Sequence, residues 1–235
     1  MPDLGLIALV IAFVAAGFGI LASLLGVQRK RPSLAAAGRN ALYVTSGLVA
    51  LASLVLLFSL VRRDYSLAYV ANQVSNDLPL FYTLSSFWGG QAGSLLFWTL
   101  ILSGYAAAAT VLQWKRQPVL RPYVTAVLLT TQFFFLAVLL FAANPFARLW
   151  LLPDGSLSAA VFARAGAVLP QIDEGSGLNP LLQNYWMVVH PVMLYLGWEI
   201  LRMFWKKVWQ ASNQTGLYTL LGGVLDFCRL GFAPL

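Results

Sequence analysis

The chain is short of what soluble proteins carry in quantity. Charged residues make up 10% of its 235 positions, against about 25% in an average globular domain. That excludes a water-soluble enzyme, a disordered segment and a nucleic-acid module as first readings. There is one cysteine, Cys228. It excludes an intrachain disulfide and a CxxCH attachment site within the chain. There is one histidine, His190. A zinc site normally takes three or four protein ligands, and no Cys/His cluster supplies them. There is no GxSxG and no carboxylate near His190 in sequence, which argues against hydrolytic chemistry. No GxxxxGK[ST] phosphate loop is present either.

What is abundant is apolar sequence. Hydrophobic residues reach 60% and the mean hydropathy is +0.76. At this length the chain accommodates roughly five to seven spanning helices of about 20 residues each. Charge-free apolar runs predict spans at 4–27, 41–61, 94–114 and 123–143. The first is too long for a signal-peptide core and follows no basic segment. A fifth span is expected near 185–205. It carries His190, Glu199 and Arg202, the last two three residues apart and able to face each other. The stretch from Gly216 to Leu235 holds Asp226, Arg229 and several glycines, and reads as interfacial. The fold class is therefore all-α: a polytopic transmembrane helix bundle of about five spans.

The net charge of +7 does not call for a nucleic acid, because Lys and Arg collect in cytoplasmic loops for topological reasons. Ten of the fifteen basic residues follow the first, third and fifth spans: Arg29, Lys30, Arg31, Arg39, Lys115, Arg116, Arg121, Arg202, Lys206 and Lys207. Arg62, Arg63, Arg148 and Arg164 lie in the opposite loops. This bias predicts an N-terminus outside. The two outer loops, about 62–93 and 144–184, are long, and loops of that length are usually functional or disordered. Tyr65, Tyr69, Phe81, Tyr82, Phe87, Trp88, Phe146, Trp150 and Phe162 argue against disorder. An interfacial aromatic belt accounts for single members of this set, but not for their clustering with Gly, Asn and Gln.

Two motifs stand at the ends of those loops. The first is Trp88-Gly89-Gly90-Gln91-Ala92-Gly93-Ser94. Its glycines permit turns and close backbone approach, and Ser94 stands where a helix N-cap would stand. The ring of Trp88 can lie against a flat ligand or against a neighbouring helix. The second runs from Gly175 through Asn179, Asn184 and Trp186 to His190-Pro191. His190 lies about one turn inside the fifth span. A histidine there is either a functional group or one satisfied by a carbonyl. Heme suits a lone imidazole, because the porphyrin supplies four ligands and one or two side chains suffice.

At these motifs the chain resembles the CcmF/NrfE family of cytochrome c maturation heme lyases. The similarity rests on Tyr69-Val-Ala-Asn72, Leu78-Pro-Leu-Phe-Tyr82, Trp88 to Trp98, Gly177 to Gln183 and Trp186 to Gly197. It covers about Leu4 to Trp198. The resemblance implies heme handling at the outer face of a bacterial inner membrane, for attachment to apocytochrome c. It implies heme delivered by the chaperone CcmE, further maturation subunits such as CcmH, and a lipid environment. It casts His190 as an axial ligand of incoming heme. Trp88, Gly89, Gly90, Gln91 and Gly93 would shape a platform, with Asn179 and Trp186 supporting the same surface. The family's second outer histidine, its two in-membrane histidines and its WGxxWxWDP loop have no counterpart here, so no resident heme b is expected.

The resemblance further divides the chain into a CcmF-like N-terminal transmembrane region, 1–205, and a divergent tail, 206–235, which departs from the family pattern from about Trp198. A truncation, a frameshift or a split gene would each give such a tail. No catalytic acid or base is expected, because adding thiols across heme vinyl groups needs orientation above all. The alternative is a non-catalytic assembly subunit that binds the chaperone or apocytochrome. A transporter ranks last, since the first four spans hold only scattered Ser, Thr and Gln.

Overall fold

The computed structural model describes residues 2–112, 120–163 and 165–197. Met1–Pro191 form one compact unit, and a second starts at Val192. Four long helices build the first unit: α1 (Pro2–Gln28), α2 (Pro32–Val61), α5 (Gln91–Leu112) and α6 (Arg121–Phe141). Two short ones, α3 (Ala68–Gln73) and α4 (Leu80–Gly89), lie between them. A hairpin of β1 (Arg148–Leu151) and β2 (Leu157–Ala160) follows α6, paired antiparallel with Arg148 opposite Ala160. A single 3-10 turn, Pro180–Leu182, precedes helical residues 185–197.

The four long helices are each apolar and long enough to cross a bilayer. Helices that are apolar all round are buried or lipid-facing, and here they are both. Leu4, Ile7, Val14, Phe18 and Leu21 of α1 are exposed, while Ala8, Ala12, Ala16 and Ala22 are buried. Apart from the buried Leu9, small residues thus face the protein and large ones face outward. That is the membrane arrangement, in which close backbone approach replaces the hydrophobic effect between helices. Gly38 of α2 shows it: a Cβ there would lie 2.9 Å from the Ser23 amide and 3.0 Å from the Gly19 carbonyl. The chain is a multi-pass membrane protein. Hydroxyls of Thr99, Thr110 and Thr130 donate to carbonyls one turn back, so they serve their own helices and line no polar path.

α1 packs along α2 and α6, and α5 packs on α2 and α6. Arg148 bonds both Asp3 carboxylate oxygens, at 2.7 and 2.8 Å. The Ala68 amide donates to the Ala147 carbonyl at 2.9 Å, and Leu149 to Ser66 at 3.1 Å. Both long connecting segments therefore meet at one end of the bundle, where α1 starts and α6 finishes.

Three expectations are corrected. The second span does not begin at 41: its helix starts at Pro32. A charge-free window stops at Arg39, but proline at the first position and the run Ala35-Ala36-Ala37 favour helix through it. The segment 62–93 is not a loop, because α3 and α4 occupy much of it. Ser94 is not an N-cap: α5 starts at Gln91, and the Ser94 hydroxyl donates to the carbonyls of Gly90 and Trp88. Positions 113–114 of the expected third span, 198–205 of the fifth, Glu199, Arg202, the stretch 216–235, the tail 206–235, Cys228 and the basic residues Lys115, Arg116, Arg164, Lys206, Lys207 and Arg229 lie outside the described residues.

Candidate functional site

The site is organised around a residue that sequence reasoning passed over. Tyr69 sits in the first turn of α3 and is buried. Its hydroxyl points into the junction of α4 and α5. It donates to the carbonyls of Ser86 (2.8 Å) and Phe87 (3.2 Å) and accepts from the Gly90 amide at 3.1 Å. The last carbonyls of a helix have no partner within it, and here one phenol supplies it. Burial pushes the phenol's pKa well above its ordinary value, while the backbone amides of Gly90 and Gly93 pull the other way. The group stays neutral and keeps its proton for donation.

This accounts for the glycines of the first motif. Gly90 is extended (φ −120°, ψ 166°) and is the one residue between α4 and α5. A Cβ at Gly93 would overlap the Phe87 carbonyl and the Tyr69 hydroxyl. One at Gly89 would lie 2.8 Å from the Leu178 side chain, and one at Gly90 would lie 2.8 Å from that of Gln73. Gly89, Gly90 and Gly93 are thus closed against Tyr69, Gln73 and Leu178. They hold the junction. Gln91 is exposed.

Trp88 is the joint between the two motifs. Its ring stacks on Phe97 (centroids 5.2 Å apart, planes at 27°). Its indole Nε1 donates to the carbonyl of Val188 at 3.0 Å, 100 residues away. Of the two uses open to Trp88, the structure shows the neighbouring helix.

The second motif folds onto this junction. Ser176 donates its amide to the Ala71 carbonyl (2.7 Å), and the Asn76 amide donates to the Asp173 carbonyl (2.9 Å). Gly177 takes a positive φ of 77°, which glycine adopts without a Cβ penalty. The turn drives Leu178 into the core, against Gly89. Asn179 is exposed, and its Oδ1 accepts the Leu181 amide at 3.0 Å. It closes its own turn. The Asn184 Oδ1 accepts the Trp186 amide at 3.0 Å, which makes Asn184 the N-cap of the helix that begins at 185. Asn ahead of Tyr-Trp-Met was a readable signal for that cap.

On this helix Val188 is buried toward Trp88. Trp186 is 74% exposed and His190 is exposed as well. Four residues apart, they are neighbours on one helical face. Tyr185 stacks on Phe81 (6.4 Å, 14°) and meets Trp186 edge-on at 5.5 Å. Phe81, Tyr185, Trp186 and His190 form an exposed aromatic ledge carrying one imidazole. Among the described residues no group of three or more His, Cys, Asp or Glu side chains could hold a metal ion.

Comparisons with known proteins agree on one group. The family model described as cytochrome C assembly protein matches residues 88–205. CcmF of Pseudomonas aeruginosa, a cytochrome c-type biogenesis protein, is 34% identical over 227 residues, covering 96% of this chain and 30% of the relative. NrfE of Haemophilus influenzae is 30% identical over 198 residues, covering 84% and 28%. Among solved structures, the cytochrome c heme lyase CcmF superposes with a TM-score of 0.65 at 27% identity, over 83% of this chain and 28% of the other. The chain spans less than a third of the length of these relatives. The chain belongs to the cytochrome c assembly protein family, in its CcmF/NrfE branch.

Proposed function

We propose that the chain handles heme for cytochrome c maturation, as one portion of a CcmF-type heme lyase system. The observation that carries this reading is the shared exposed face of Trp186 and His190, on a helix that Trp88 fastens to the bundle. Heme is the substrate. Its porphyrin occupies four positions on iron, His190 offers a fifth ligand, and an exposed indole one turn away offers a flat apolar contact. The ledge stands at the end of the bundle that gathers both long segments, which the distribution of Lys and Arg assigns to the outside.

Heme carried by CcmE would be received there and presented to apocytochrome c, with subunits such as CcmH, in a bacterial inner membrane. Thioether formation adds a cysteine S–H across each vinyl group. Sulfur bonds to one vinyl carbon and the proton goes to the other. The chain's part is to hold the ring and fix its edge, and no acid or base is assigned. In this scheme Trp88, Asn179, Gly89, Gly90 and Gly93 act as positioning residues. They set the height and angle of the helix bearing His190.

The test is capture of heme-loaded CcmE by the reconstituted chain, read from the Soret band of the retained fraction. His190→Ala is expected to lower capture by at least about tenfold with unchanged membrane insertion. Equal capture by wild type and variant would remove His190 from the site.

A further inference from the structure

The last turn of α2 carries a feature that heme handling does not use. A cavity of about 350 Å³ opens there, lined by Phe58, Ser59, Arg62 and Asp64. That is at the low end of the range for small-molecule sites. Its lining brings one cation, one anion and one phenyl ring together. Arg62 makes no ion pair among the described residues, and its guanidinium lies over the Phe58 ring at 5.0 Å. Ser59 is buried beneath this opening, and its hydroxyl has no hydrogen-bond partner among the described residues.

The backbone here is held by a Schellman closure. The Arg63 amide donates to the Leu60 carbonyl (3.1 Å) and the Asp64 amide to the Ser59 carbonyl (3.0 Å), with Arg63 at a φ of 54°. The reversal sends the chain back so that Arg62 and Asp64 flank one opening. The closure also occupies the helix-end carbonyls that would repel an anion. Asp64 Oδ1 accepts the Ser66 amide (3.3 Å) and hydroxyl (2.6 Å), which fixes the carboxylate in place.

We propose that this cavity binds a zwitterionic phospholipid headgroup of the phosphoethanolamine type. The phosphate lies against the Arg62 guanidinium. The primary ammonium lies against Asp64 and the Phe58 ring. The acyl chains run down the exposed apolar surface of α2, where Leu54, Phe58 and Val61 face outward. A purely anionic headgroup has nothing to offer Asp64. A quaternary ammonium cannot donate a hydrogen bond to it.

The experiment reconstitutes the full chain into nanodiscs with equal parts of phosphatidylethanolamine, phosphatidylcholine and phosphatidylglycerol. Co-released lipid is then read by native mass spectrometry. Wild type is expected to retain phosphatidylethanolamine at least about fivefold over the other two. Arg62→Gln should abolish retention. Asp64→Asn keeps both acceptor contacts to Ser66, so it should erase the preference for ethanolamine over choline and leave retention itself. Soluble glycerophosphoethanolamine at millimolar concentration should displace the lipid if the headgroup carries recognition. Free phosphate displacing it equally would show a simple anion site and overturn the zwitterion assignment. Equal retention of the three lipids by wild type, or unchanged retention in Arg62→Gln with native circular dichroism, would overturn the proposal.

Discussion

Two alanine substitutions in one helix test whether the first motif works by close packing. Gly93 and Gly104 both lie in α5. By intrinsic preference each exchange favours the helix by about 0.8–1 kcal/mol. At Gly104 a Cβ meets nothing within 4 Å, so the gain should stand. At Gly93 it would overlap the Phe87 carbonyl and the Tyr69 hydroxyl and lie 2.6 Å from Tyr69 Cζ. Neither neighbour is the loose end of a flexible chain: one is backbone, the other a buried ring. Relief requires Tyr69 to withdraw. The bonds to the Gly90 amide and the Ser86 carbonyl are then lost at about 1 kcal/mol each, with overpacking of about 1–3 kcal/mol besides. Set against the propensity gain, Gly93→Ala should be destabilising by about 2–4 kcal/mol. In thermal unfolding in detergent that is a fall of about 5–15 °C, against a rise of about 2–4 °C for Gly104→Ala. Hydrogen exchange at the Gly90 amide should speed up only in the Gly93 variant. Equal midpoints for the two variants would refute the packing account of these glycines.

Trp88→Phe keeps an aromatic ring on Phe97 but removes the bond to Val188. Stability should drop by about 1 kcal/mol, and capture of heme-loaded CcmE should fall several-fold although His190 is intact; unchanged capture would separate the joint from the site. Lys30, two residues past the end of α1, has a φ of 52°, where a side chain is strained. Lys30→Gly should raise the unfolding midpoint, corresponding to about 0.5–1 kcal/mol after losing a cation near the helix C-terminus. The hydroxyl and amide of Ser156 hold the Asp154 carboxyl below its ordinary value. A depressed carboxylate contributes stability above its unfolded pKa and loses it as pH falls through the folded one. Exchange at the Ser156 amide, corrected for intrinsic rate, should stay flat from pH 8 to 5 and rise below about pH 4.

The legible parts of the site were those with a strong local signature. His190 stood out as the only histidine, and the exposed pair with Trp186 follows from helical spacing. Tyr69 carries no such signature, because nothing in Tyr-Val-Ala-Asn says that a phenol will close a helix junction 17 residues later. Gly89, Gly90 and Gly93 read as a ligand platform because glycine marks close approach without saying to what. In the fold it is to Tyr69, Gln73 and Leu178. Asn179, expected to support the surface beside Trp186, closes its own turn.

Composition and run length determined by themselves that this chain crosses a membrane and roughly where, because a bilayer imposes length and apolarity on each segment independently of the others. Tertiary structure alone decided that the two motifs are one object. The Trp88 indole and the Val188 carbonyl are 3.0 Å apart in space and 100 residues apart in sequence. A pairing of that separation leaves no periodicity to read: each partner's local sequence is satisfied by its own helix, and only the packing of the loops at one end of the bundle brings them together.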